Sequence, residues 1–170
     1  MTTSTYIFDS ALVLLVLLQL KERRMTTRLL VQPLVILGVA VATYFHTIPT
    51  AGNDLLLIVA IGLVGATIGI ASGFTAIMRR GEGGTVTTRS GWWSGFFWVL
   101  GMGSRFAFAV WIAHGGAASI ASFSAANSIT GSAAWTDALL MMAIGEVVGR
   151  TLVQAARWRR LEGQPVLSLA

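Results

Sequence analysis

The fold is decided by residues 137–158, which read DALLMMAIGEVVGRTLVQAARW. This stretch is long and apolar enough to cross a bilayer, for which about 20 residues suffice. Glu146 and Arg150 nevertheless lie in its middle, four residues apart and therefore on one helical face. A charge at the centre of a span costs roughly 2.5–3.5 kcal/mol even on lenient insertion scales. The stretch therefore predicts a membrane helix whose polar face has a partner or a purpose.

The whole chain has the composition of a membrane protein. Of its 170 residues, 55% are hydrophobic and 11% charged, and the mean hydropathy is +0.74. These values lie outside the range of soluble globular domains. The net charge of +5 does not indicate nucleic-acid binding, because the basic residues lie in short segments between apolar runs. The absence of cysteine excludes disulfides, thiol redox chemistry and the C-x-x-C-H haem attachment motif.

Five apolar runs predict an all-α, polytopic membrane protein with a single transmembrane domain over residues 1–170. The predicted spans are 5–20, 29–47, 54–78, 92–113 and 136–156. Of the 12 Lys and Arg residues, four follow the first span, three follow the third and three follow the fifth. Positive residues accumulate in cytoplasmic loops, so we expect the N-terminus outside and the C-terminus in the cytoplasm.

The positions of Arg105 and Glu146 along their predicted spans predict an ion pair between helices. Arg105 lies nine residues before His114, at the outer end of the fourth span, and Glu146 lies nine residues after Asp137, at the outer end of the fifth. At 1.5 Å per residue both are about 13–14 Å below the outer boundary, near the middle of the hydrocarbon core. Adjacent antiparallel helices would bring them level. Arg150, one turn deeper, would share Glu146 or reach toward the headgroups.

We call Arg105, Glu146 and Arg150 the polar centre; Ser104 and Gln154 are further candidate members. The centre has two interpretations. It is a structural ion pair that fixes helix register, since buried polar groups can serve specificity, or it is a functional site. Arginines that line a path would favour an anionic ligand.

Glycines at four-residue spacing predict close helix packing. The third span carries Gly65, Gly69 and Gly73, and the fifth carries Gly145 and Gly149. Small residues at this spacing allow two helix backbones to approach closely. The pattern does not specify the partner helix, so the glycines serve either packing within the subunit or the interface of a homo-oligomer.

The composition of two connections between spans predicts their structure. Residues 114–135 are small, polar and uncharged, and we expect either an interfacial helix or, more strongly, a re-entrant cap over the bundle. Residues 79–91 are Gly-rich but lack the pattern of a phosphate-binding loop. We expect a plain cytoplasmic connector there.

His46 and His114 both fall at outer ends of predicted spans. Two histidines on one side of a membrane could ligate a haem or a metal ion. Without a spacing motif such as H-E-x-x-H, interfacial polar residues are the favoured interpretation. No other cofactor is indicated.

Several features of residues 21–113 carry a family resemblance. They are a basic segment before a span with an early proline, a span ending in Ser and Gly, a polar loop ending in Arg-Ser, and an interior arginine: Arg28, Pro33, Ser72, Gly73, Arg89, Ser90 and Arg105. Together they resemble the CcdC-like family of small bacterial membrane proteins, named for a link to cytochrome c biogenesis. The resemblance implies an accessory role in the bacterial inner membrane and no catalytic residues. The chain beyond Trp111, including Glu146, lies outside it.

Three functions are open at this point. The favoured one is a non-enzymatic, homo-oligomeric transporter, channel or accessory protein, surrounded by membrane lipids, that binds an anionic or lipid-like small molecule. The second is an intramembrane enzyme acting on a lipid or prenyl substrate, with Glu146 as general acid. An interfacial belt explains most of the tryptophans better than a substrate pocket does. The third is a haem- or quinone-handling component, which rests on His46, His114 and the family resemblance.

Overall fold

The computed structural model describes residues 23–44, 49–81, 85–89 and 91–163. The predicted first span, 5–20, and His46 lie outside these residues. The described part is mostly helical, with five helices and three short strands: β1 Arg23–Arg24, α1 Thr27–Tyr44, α2 Asp54–Thr75, β2 Ile77–Arg80, β3 Val86–Arg89, α3 Trp92–Trp111, α4 Ala117–Ala126 and α5 Ser132–Glu162.

Within the described residues, three helical stretches are long and apolar enough to cross a membrane. They are Asp54–Thr75, Trp92–Ala126 and Ser132–Glu162. The second of these comprises α3, a kinked segment and α4. The predicted third and fourth spans each end earlier than expected as regular helix, at Thr75 and Trp111. The fifth extends beyond its predicted ends in both directions.

α2 and α5 pack closely because glycines meet on both helices. A Cβ atom added at Gly65 or Gly69 would collide with the backbone of Met142 or Glu146 on α5. In return, a Cβ at Gly149 would lie 2.7 Å from the carbonyl oxygen of Ala66 on α2. Side chains at these positions would force the two helices apart.

The same contact includes the remaining predicted glycines. A Cβ at Gly73 would lie 2.8 Å from the Val153 side chain, and one at Gly145 would collide with the Gly62 carbonyl oxygen. The glycine pattern is therefore used inside the subunit. It does not form an exposed oligomer face, which was the other interpretation of the sequence.

The Gly-rich connector and the end of the predicted third span form a small sheet instead of a plain loop. β2 and β3 pair as an antiparallel hairpin, with Ile77 opposite Arg89 and Arg80 opposite Val86. β1 adds to the other edge of β3. The prediction of an all-α fold misses this sheet. α2 stops because Ala76 adopts an extended conformation, and β-branched Val and Thr in β3 favour the strand.

Side chains beneath the sheet form a small hydrophobic core, at the end of the bundle where α5 stops. Met25, Leu30 and Val86 are buried there, and the half-buried Trp158 of α5 packs against them. Trp158 thus ties α5 to the sheet and to the start of α1.

Two arginines of the basic segments cap helices at this end. Nη1 of Arg157 on α5 donates to three carbonyl oxygens at the end of α2, at 2.7–2.8 Å: Gly73, Phe74 and Ala76. Nη1 of Arg80 on β2 donates to the Leu161 carbonyl oxygen near the end of α5, at 3.1 Å. A cation at a helix C-terminus satisfies unpaired carbonyls and complements the helix dipole.

The opposite end of the bundle is closed by the connection before α5. The chain kinks at Gly115, which has φ 111°, and α4 follows without burying any residue. The next loop binds the start of α2: the amide of Asn53 donates to the Ser128 carbonyl at 3.0 Å, and Asp54 accepts from both the amide and the hydroxyl of Thr130. Residues 114–135 therefore form a kinked segment, a helix without buried residues, a loop that is hydrogen-bonded to the start of α2, and the first turn of α5.

Candidate functional site

The structure brings Arg105 and Glu146 together, as their sequence depths predict. Nη2 of Arg105 donates to Oε2 of Glu146 at 3.1 Å. The Glu146 side chain is only 9% exposed and that of Arg105 18%. Because so little of either side chain contacts solvent, the surrounding protein fixes the geometry of this ion pair.

Gly101 makes room for the Glu146 carboxylate. A Cβ at Gly101 would lie 2.6 Å from the carboxylate carbon and would collide with an oxygen. Because Gly101 is four residues before Arg105, both face α5 from the same side of α3. Sequence reasoning passed over Gly101 as a site residue, although its spacing from Arg105 was the signal available.

Arg105 has donor capacity beyond the ion pair. Nη2 also lies 3.2 Å from the Met102 sulfur. Nη1 is buried and has no hydrogen-bond partner among the residues that the structure describes. A buried donor without an acceptor is costly, and structures usually satisfy one with protein, water or a ligand.

Arg150 makes the polar centre cationic. It is half-buried on α5, four residues after Glu146 and on the same helical face. Two arginines and one glutamate therefore give the centre a formal charge of +1. A low-dielectric interior strengthens the attraction of such a centre for an anion.

Ser104 and Gln154 do not join the pair. The Ser104 hydroxyl donates to the Gly101 carbonyl of its own helix at 3.0 Å, and the residue is exposed. Gln154 is half-buried eight residues after Glu146, about 12 Å further along α5. For Ser104, helical position alone does not say where the hydroxyl finds its hydrogen bond.

Of the two candidate histidines, only His114 lies in the described residues. His114 is exposed, and its Nδ1 lies 2.8 Å from the Val110 carbonyl of its own helix. His46 lies outside the described residues. Within the described ranges, no group of three His, Cys, Asp or Glu side chains is placed to hold a metal ion.

An apolar groove, which we call the α2–α5 groove, opens beside the glycine contact toward the sheet. Its volume is about 310 Å³. Apolar side chains of both helices line it, with two arginines at one end: Ile70, Phe74, Leu152, Ala156, Arg157 and Arg160. Glu146 is not among the lining residues, so the groove and the polar centre are separate features.

No family model, curated protein or solved structure matches this chain. One oxygen of Glu146 accepts a hydrogen bond from Arg105, and the carboxylate lies against Gly101, so both α3 residues restrict its position.

Proposed function

We propose that this chain is a non-enzymatic, multi-pass protein of the bacterial plasma membrane whose polar centre binds a small anion. The observation that carries the proposal is the buried Nη1 of Arg105, which lacks a partner in the described residues beside a centre of two arginines and one carboxylate. Guanidinium groups bind anions by short, charge-assisted hydrogen bonds. Rings and clusters of arginine select anions in membrane pores and carriers.

Five spans with the N-terminus outside remain our proposal for the topology. The exposed arginines of the described residues gather at the sheet end of the bundle: Arg24, Arg28, Arg79, Arg89, Arg159 and Arg160. The opposite end, at residues 49–54 and 111–137, has no Lys or Arg. The positive-inside rule then puts the sheet and the end of α5 in the cytoplasm.

The accessory role implied by the CcdC-like resemblance fits a protein of this kind and stays part of the proposal. A homo-oligomer also stays a prediction. The glycines of α2 and α5 no longer support it, because they pack against the other helix within the subunit. An enzyme with Glu146 as general acid has less support, because the α2–α5 groove lies along other residues.

Anion-dependent thermal unfolding of the purified protein in detergent tests the proposal. Chloride, nitrate, phosphate and acetate are compared with gluconate, a much bulkier anion, at constant ionic strength. An anion present at about ten times its Kd should raise the Tm by about 3–6 °C.

The paired variant Arg105→Gln/Glu146→Gln should lose the anion-specific shift, because it removes the guanidinium that carries the buried Nη1, while Arg150 keeps the formal charge of the centre at +1. Arg159→Gln, an exposed arginine at the end of α5, is the matched control and should keep it. A shift that no small anion produces, or one that survives in the paired variant, would contradict anion binding at the centre.

A further inference from the structure

We propose that the α2–α5 groove binds one anionic phospholipid, with an acyl chain along its apolar walls and the phosphate at Arg160. This inference requires that the chain spans a bilayer but does not depend on the polar centre. Four observations support it: the apolar walls of the groove, its length, the charge at its end and the hydrogen bonds that hold Arg157 there.

The walls of the groove suit a hydrocarbon chain. Phe74 of α2 and Leu152 of α5 are 63% and 64% exposed, and they flank an open cavity of about 310 Å³. That volume is at the lower end for small-molecule sites. Both side chains lack full contact within the subunit, and a flexible acyl chain in the α2–α5 groove can supply the missing contacts.

The length of the groove matches one leaflet. Its lining on α5 runs from Gly149 to Arg160, eleven residues or about 16 Å along the helix axis. Half of a ~30 Å hydrocarbon core is about 15 Å. A lipid whose headgroup lies level with Arg160 would therefore extend its chain toward the bilayer middle without leaving the groove.

The charge at the end of the groove selects an anionic headgroup. Arg160 is exposed and lines the groove, whereas Glu162, the acid closest to it on α5, is two residues on and points to the other side of the helix. Basic residues between membrane helices on the cytoplasmic side are typical sites for acidic lipid headgroups.

Arg157 fixes the position of this end. Its Nη1 is engaged by the carbonyls that end α2, so its guanidinium is anchored between the two helices that form the groove. An anchored cation keeps the electrostatic potential at the groove mouth without the entropy cost of ordering a free side chain. We assign the direct phosphate contact to Arg160, because it is the exposed one of the two.

Native mass spectrometry of the protein released from nanodiscs tests this site. The nanodiscs contain equal amounts of phosphatidylglycerol and phosphatidylcholine with identical acyl chains. The wild-type protein should retain one phosphatidylglycerol per chain in preference to phosphatidylcholine. Arg160→Gln should lower the retained fraction about fivefold, the effect of one arginine near an anionic surface.

Two variants separate the headgroup contact from the chain contact. Ala156→Trp fills the groove at an exposed position and should abolish retention, whereas Arg160→Gln only lowers it. Arg159→Gln, which changes the neighbouring exposed arginine outside the groove, should leave retention unchanged. Thermal unfolding of each variant in detergent confirms that it is folded.

Several outcomes would overturn the proposal. They are equal retention of the two lipids, an equal loss in Arg159→Gln and Arg160→Gln, and undiminished retention in Ala156→Trp. Displacement of the lipid by inorganic phosphate would show that the anion alone is bound. Arg105→Gln/Glu146→Gln should retain the lipid as the wild type does, so failure here is distinguishable from failure of anion binding at the centre.

Discussion

Glu146 is held by residues of three helices. Its backbone packs on Gly69 of α2, its carboxylate lies against Gly101 of α3, and Arg105 donates to it. Arg150 follows one turn later on α5. These contacts leave the Glu146 carboxylate little freedom to move if a partner is removed.

The ion pair should show strong coupling in a double-mutant cycle. Arg105→Gln or Glu146→Gln alone leaves a buried charge without its partner, which costs about 3–5 kcal/mol in comparable pairs. The double variant should be distinctly more stable than the sum of the two losses predicts. The free energy of unfolding is measured by titration with SDS in mixed micelles. Additive losses would show that the two side chains do not interact energetically.

At the scale of elements, the α2–α5 contact holds the bundle, and α3 attaches to it at few points. Only Ser94 and Gly101 are buried on α3, seven residues apart on one face. Ser94 meets Ser72 of α2, with the hydroxyl oxygens 3.4 Å apart, and Gly101 meets Glu146. The ion pair is therefore a main link between α3 and α5.

Gly69→Ala should be strongly destabilising for this reason. The added methyl group would collide with the backbone of Glu146, which cannot move without separating α2 from α5. We expect a loss on the order of 2 kcal/mol or more, as overpacking commonly costs 1–3 kcal/mol. Thermal unfolding in detergent measures it.

Gly38→Ala on α1 is the matched control. No atom lies within 4 Å of a Cβ built there, and alanine is the better helix former by about 1 kcal/mol. This variant should be neutral or slightly stabilised. Equal effects of the two substitutions would contradict the close α2–α5 packing.

Sequence reasoning found the elements that depend on periodicity and depth. The Arg105–Glu146 contact follows from the rise per residue and the alternation of spans, and the glycine spacing on α2 and α5 follows from helical geometry. Depth along a span and the spacing of small residues can each be read from one segment at a time. The partner of the glycines was left open because small-residue spacing specifies close approach and nothing else.

Features that depend on tertiary contact could not be read in the same way. The four-residue strands at Ile77–Arg80 and Val86–Arg89 are short, basic and separated by glycines, which is also the pattern of a loop. Asp54 lies in the first turn of α2, and its carboxylate binds Thr130, 76 residues away, a contact that no local pattern predicts. Arg157 and Arg80 were counted as topology signals, although each also caps a helix.

At the scale of the whole molecule, the sheet end and the α4 end should lie on opposite sides of the membrane. The chain has no cysteine, so a single introduced cysteine is a unique label. Ser119→Cys on the exposed face of α4 should react with a membrane-impermeant thiol reagent in intact cells. Glu162→Cys at the end of α5 should react only after permeabilisation. The reverse pattern would invert the proposed topology.

Isothermal titration calorimetry with the anion that gives the largest shift in Tm tests anion binding at the polar centre. We expect one site per chain for wild type and Arg159→Gln, and a loss of affinity of about tenfold or more in Arg150→Gln, since a hydrogen bond to a charged group contributes about 1.5–3 kcal/mol. Unchanged affinity in both Arg150→Gln and Arg105→Gln/Glu146→Gln would contradict it and leave the polar centre as an ion pair that fixes helix register.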